Sequence, residues 1–234
     1  MPTINMPYKP RKPTQEEIER SKYKDDFLQL IKNNKFPIEI SNYYTLQQGK
    51  ILYDEVIENQ PDVIIEFGTG DGFTSLCMAC ALKKNEKGKI YSYDLFDSNS
   101  SRLVDLTKQY MHIGGEVQRL GLTKYIEFGF KDFYKWIDTA DVTESFDMLY
   151  VDVGNTGTVV TLLKEKLKKN FERGATVLFE GGGTQRDKFT SIECGRGGYW
   201  GRCKNHSNIG ELKDELGFTV LSHSIPSISK FINE

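Results

Sequence analysis

Apolar runs that close on an acid recur along this chain, with helical periodicity between them. The clearest is Val63-Ile64-Ile65-Glu66-Phe67, followed by Gly68, Gly70 and Gly72 and then by Ser75-Leu76-Cys77-Met78-Ala79-Cys80-Ala81-Leu82. That order predicts a buried strand, a tight turn and a helix N-terminus. Lys89–Asp94 alternates as a second strand, Tyr125–Phe130 reads as a third, Phe146–Asp152 as a fourth and Gly174–Glu180 as a fifth. Phe218–Ser222 and Ser229–Ile232 complete the set. Their connection is too short for a parallel crossover, so this pair is expected to be antiparallel. Helical patterns cover 14–33, with Thr14 and Glu17 as a capping box, then 45–59, 98–111, 158–172 and 209–216. A break is expected at Gly114-Gly115, and prolines at 2, 7, 10 and 13 mark an irregular arm. Strands alternating with helices predict an α/β fold with a mainly parallel seven-stranded sheet, helices on both faces and an antiparallel last strand pair. The expected organisation is an arm and helix over 1–42 and one domain over 43–234.

Composition narrows the class. The chain has 234 residues, 27% charged and 38% hydrophobic, as a globular protein has. A net charge of −2 gives no electrostatic reason to expect nucleic acid. No run reaches membrane-spanning length and the N-terminus has no signal-peptide core, so a cytoplasmic protein is expected. Cys77 and Cys80 fall inside an apolar helix, where they read as buried thiols. Cys194 and Cys203 match no zinc spacing.

The glycine turn carries the first chemistry. Glycines let a ligand approach the backbone, and the following helix offers free N–H groups. A dinucleotide turn would place its third glycine where Phe73 stands. Glu66, two residues before the first glycine, suits a ligand's ammonium group instead. With that acid the stretch resembles the class I S-adenosylmethionine-dependent methyltransferases, which implies a Rossmann-like fold. The resemblance implies a cofactor whose methionine part lies over Gly68, Thr69, Gly70 and Gly72, near Thr74. Asp94, ending the second strand, can accept from both ribose hydroxyls. Asp132 and Phe133 are implied at the adenine. Glu66, Asp94, Asp152 and Glu180 each end a strand, and ligands of open α/β sheets bind at that edge.

Three stretches narrow the resemblance to the catechol-type small-molecule O-methyltransferases: 45–52, 66–75 and 146–152. In the metal-dependent members an acid ends strand four and an acid–amide pair ends strand five. Asp152 and Glu180 match the acids and imply Mg²⁺, whereas Gly181 replaces the amide and Asn155 a common basic residue. Without a metal, Glu180 or His206 is the expected general base. The stretch 181–206 is glycine-rich and basic. Its Arg186, Arg196, Tyr199, Trp200 and Arg202 suit a phosphate- or carboxylate-bearing acceptor such as a sugar nucleotide. The expectation is methyl transfer to a small-molecule hydroxyl, with no nucleic-acid or membrane partner. The N-terminal helices are a lid or a homo-oligomer contact. An N-methyltransferase, an aminopropyltransferase and a non-catalytic cofactor-binding protein are the rivals.

Overall fold

In this computed structural model the described residues are 43–70, 72–94, 113–140, 145–154, 156–184, 187, 209–223 and 226–232. The expectations for 1–42, 98–111, Arg186, Arg196, Tyr199, Trp200, Arg202 and His206 lie outside them.

Helix α1 (Tyr43–Asn59) ends before Pro61 and leads into β1 (Val63–Phe67). Helix α2 (Phe73–Asn85) follows the glycine turn, and β2 (Lys89–Asp94) follows α2. Then come β3 (Ile126–Phe130), α3 (Phe133–Ile137) and β4 (Met148–Val151). The remainder is α4 (Gly157–Lys166), α5 (Lys168–Glu172), β5 (Thr176–Glu180), a 3₁₀ turn (Ile209–Leu212), α6 (Lys213–Leu216), β6 (Phe218–Ser222) and β7 (Ile228–Phe231).

The seven strands form one sheet in the order β3-β2-β1-β4-β5-β7-β6. β1 runs parallel to β2 and β4, β2 to β3, and β4 to β5, while β7 is antiparallel to both β5 and β6. All the parallel strands therefore end on one edge. The order reverses between β1 and β4, the switch point where such sheets bind ligands. One face buries Ile64, Ile90, Met148 and Leu178 under α1 and α2. The other buries Ile65, Leu149 and Val177 with Phe133, Trp136 and Leu163 of α3 and α4. Those residues are near-continuous apolar runs because parallel strands are covered on both sides. No described helix is long and apolar enough to cross a membrane.

Two expectations are corrected. Residues 113–119 are helical, so Gly114-Gly115 is no break. Ile113, Val117 and Leu120 bury one stripe of that helix, which offsets a cost of about 1 kcal/mol per glycine. The span 158–172 is two helices, because Leu167 adopts φ −107°, ψ 25° between them.

Candidate active site

The edge where β1, β2 and β4 end carries a cleft of about 360 Å³ lined by Phe67, Gly68, Gly70, Tyr93, Asp94, Lys131, Phe133, Tyr134, Asp152 and Val153. Five of the sequence-expected residues thus share one space: Gly68, Gly70, Asp94, Phe133 and Asp152. Its floor is backbone. Gly68 has φ +98°, and a Cβ there would sit 2.2 Å from the Asp152 carbonyl oxygen, so only glycine lets β1 and β4 close together. At Gly70, φ +53°, a Cβ would meet no heavy atom within 4 Å, so the turn faces open space. Asp94 is fixed at the rim by the Gly70 N–H, which donates to its Oδ2 at 3.0 Å.

The walls are aromatic. Phe67 lies against Tyr93 and Phe133 with ring centroids 5.5 and 5.4 Å apart. Lys131 places Nζ 4.2 Å from the Tyr93 ring centroid, a cation–π contact at the cleft mouth. Phe67, Tyr93, Lys131, Tyr134 and Val153 were not expected. The period-2 alternation of β2 puts Tyr93 on the face opposite Ser92 and Asp94, and that signal was available.

Other expected residues lie around the cleft without lining it. Glu66 has no exposed surface. Its Oε1 accepts from the Thr74 hydroxyl at 2.6 Å, and its Oε2 accepts from the Ser92 hydroxyl at 2.6 Å and from Ser75. The Thr69 and Ser92 hydroxyls are 2.7 Å apart, which ties the turn into the same network. Burial raises the Glu66 carboxyl from 4.5 to about 7, against the lowering effect of the three hydroxyls. Gly72, φ +80°, is the N-cap of α2 and packs on Ile113. Asp132 caps α3: its Oδ1 accepts from the Tyr134 N–H at 2.9 Å and the Lys135 N–H at 3.4 Å.

Glu180 is 4% exposed, and its Oε1 accepts from the Ser227 N–H at 3.1 Å. Among the described residues no three His, Cys, Asp or Glu side chains gather as a metal site. Asp152 and Glu180 would be the two carboxylate ligands of Mg²⁺, with water and substrate completing its shell. The fully buried Tyr150 has a hydroxyl that accepts from Gln48 Nε2 of α1 at 2.6 Å. Burial, then the charges of Asp152 and Glu180, push its hydroxyl well above its ordinary value. Cys77 and Cys80 are buried thiols, as expected, and burial pushes the Cys80 thiol up to about 12.

A second cleft, about 440 Å³, opens farther along the sheet beside β6, lined by Gly182, Thr184, Asp187, Gly210, Glu211, Lys213, Val220 and His223.

Comparison with known proteins agrees with the geometry. Residues 65–180, about half of the chain, match the family described as methyltransferase domain. The O-methyltransferase TomG from Streptomyces achromogenes, involved in tomaymycin synthesis and solved with SAM, is similar at a TM-score of 0.51 and 13% identity. That match covers 95% of this chain and 92% of TomG. The SAH-bound methyltransferase PaMTH1 from Podospora anserina gives 0.51 at 13% identity, over 95% of this chain and 98% of its own. Cofactor-bound Rv0187 from MTB gives 0.51 at 12% identity, over 96% and 100%. No curated protein sequence matches.

Proposed function

Residues 65–180 are a methyltransferase domain of the class I, S-adenosylmethionine-dependent kind, and from that premise we propose that the chain methylates a hydroxyl oxygen of a small molecule. The observation that carries the reading is the cleft over Gly68 and Gly70 with Asp94 and Asp152 on its rim. These residues fit a sulfonium nucleoside. The open space at Gly70 accepts a chain lying on the backbone, and Asp94 is a carboxylate at the end of β2, where ribose hydroxyls are taken. When bound, S-adenosylmethionine supplies an electrophilic methyl group on a sulfonium sulfur.

The protein's own residues do the rest. Asp94, held by the Gly70 N–H, accepts from the ribose hydroxyls. Phe133 and Tyr134 pack the adenine, and Asp132 holds the start of α3 beneath it. The glycine floor sets the methionine part. Asp152 lines the cleft at the β4 tip and takes the acceptor's hydroxyl proton. Glu180, whose Oε1 accepts from the Ser227 N–H, would be an alternative base. His206 would be a further base. Holding both reactants in line is worth roughly 7–11 kcal/mol of barrier. The transferase domain is assigned to 43–234, with 1–42 an added arm.

The acceptor is assigned to the space beside Asp152, with the glycine-rich, basic stretch 181–206 as its binding segment. Arg186, Arg196, Tyr199, Trp200 and Arg202 would meet a phosphorylated or sugar-nucleotide acceptor. Acceptors are screened with radiolabelled donor, with and without chelator. Transfer to a hydroxyl compound that persists in EDTA is expected, whereas loss restored by Mg²⁺ would return a metal to Asp152 and Glu180. For a phosphorylated acceptor, Arg196→Ala with Arg202→Ala raises the acceptor KM and leaves the donor KM alone. An unchanged acceptor KM would remove the basic stretch from the site.

A further inference from the structure

Glu66 presents a difficulty that the cleft resolves. It is a carboxylate with no exposed surface, held by Thr74 and Ser75 of α2 and Ser92 of β2. It lies beneath the turn with no exposed surface, so a ligand in the cleft is separated from it by the backbone. The charged groups acting on it are also acidic. Asp152 faces it from β4, and Glu66 in turn acts on the Tyr150 hydroxyl, which Glu180 and Asp152 also oppose. α1 contributes the neutral Gln48, and α2 and β2 contribute hydroxyls. A buried carboxylate is costly unless a positive charge meets it. A cation bound in the cleft above the turn would supply that charge.

The methyl donor and its product differ by one methyl group and one unit of charge. The donor's sulfonium makes it a net cation, whereas the product is a neutral zwitterion. Contacts to ribose, adenine or the methionine backbone cannot separate two such ligands, but a fixed anion can. We infer that Glu66 is the specificity-determining residue that favours the sulfonium donor over the demethylated product, acting through its field from beneath the glycine turn rather than by contact. This rests on the reading that the cleft binds the donor.

A proton consequence follows. Near neutral pH part of the protein carries Glu66 protonated, since burial raises its carboxyl to about 7. The cationic donor favours the ionised form and so releases a proton to solvent on binding, while the neutral product releases fewer. By linkage, rising pH favours donor over product. The effect is expected between pH 6 and 8, where Glu66 passes from mostly protonated to ionised.

Calorimetry on the full chain tests this, using S-adenosylmethionine and S-adenosylhomocysteine from pH 6 to 8 in two buffers of different ionisation enthalpy. In the wild type the donor-to-product affinity ratio should rise roughly three- to tenfold, with proton release on donor binding. In Glu66→Gln the ratio should be lower at pH 8 and vary less with pH, with product affinity within about twofold of wild type. Titration of the ligands' own groups persists in the variant, so the difference between the two proteins isolates Glu66. A variant that weakens both ligands equally would make Glu66 a structural prop and overturn the inference. A wild-type ratio that does not move with pH would overturn it without any variant. Failure of the wild type to bind either ligand would overturn the cofactor reading itself.

Discussion

Gly68 and Gly70 stand two residues apart with positive φ, yet their surroundings predict opposite consequences of the same substitution. Gly68→Ala drives a Cβ to 2.2 Å from the Asp152 carbonyl and must separate β1 from β4, at an expected cost above about 3 kcal/mol. Gly70→Ala meets empty space and costs only left-handed strain, about 1–2 kcal/mol, but its methyl enters the cleft. Urea unfolding and S-adenosylhomocysteine calorimetry on both variants check this. A folded Gly70→Ala protein with weakened binding is expected, and equal behaviour of the two would contradict the geometry. Glu66 makes a further prediction. Its carboxyl rises from 4.5 unfolded to about 7 folded, so the folded state holds the extra proton between those values. Stability therefore falls as pH rises from 4.5 to about 7, by about 3 kcal/mol in all, and the deficit is complete above that range. Glu66→Gln should lack this loss, and parallel unfolding free energies for the two proteins at pH 5 and 8 would refute it. The glycines and strand-end acids were legible because backbone conformation and edge position restrict residue type. The sealing of Glu66 was not, because three hydroxyls from two other elements bring it about. Lys131 was also hidden, since its place over Tyr93 depends on how β3 lies beside β2.

At the scale of elements, α1 is fastened to the sheet by polar contacts as well as apolar packing. Gln48 donates to Tyr150 at 2.6 Å, and Lys230 of β7 reaches Glu55 at 2.7 Å. Tyr150→Phe strands the buried Gln48 amide and should cost about 1–3 kcal/mol, read as a lower urea midpoint. Adding Gln48→Leu should recover part of that loss, and no change in midpoint for Tyr150→Phe would contradict the contact. The strands β1 and β2 were readable to the residue, since each is bounded by a turn or an acid. β4 begins two residues later than the pattern Phe146–Asp152 suggests. The helical break at Leu167 has no proline or glycine to announce it, and Leu167 is fully buried, so packing sets it. The helix over 113–119 was obscured by its glycine pair, although the buried stripe Ile113, Val117 and Leu120 was there to be counted.

For the whole molecule, topology does most of the positioning. Parallel strands bring Glu66, Asp94, Asp152 and Glu180 to one edge, and the reversal between β1 and β4 opens the cleft among three of their tips. The antiparallel β7 between β5 and β6 widens the sheet toward the second cleft. The alternation of strands and helices made this architecture legible from sequence, whereas Arg196 and Arg202, proposed for the acceptor, are residues that no strand or helix pattern places. The central claim is that Asp94 grips the sugar of a sulfonium nucleoside lying across the Gly68–Gly72 turn. Calorimetry with S-adenosylhomocysteine on the wild type and on Asp94→Ala tests it most directly. The account predicts one site per chain in the wild type and a loss of roughly 1–3 kcal/mol of binding in the variant. Wild-type protein that binds nothing, or Asp94→Ala protein that binds as the wild type does, would contradict it.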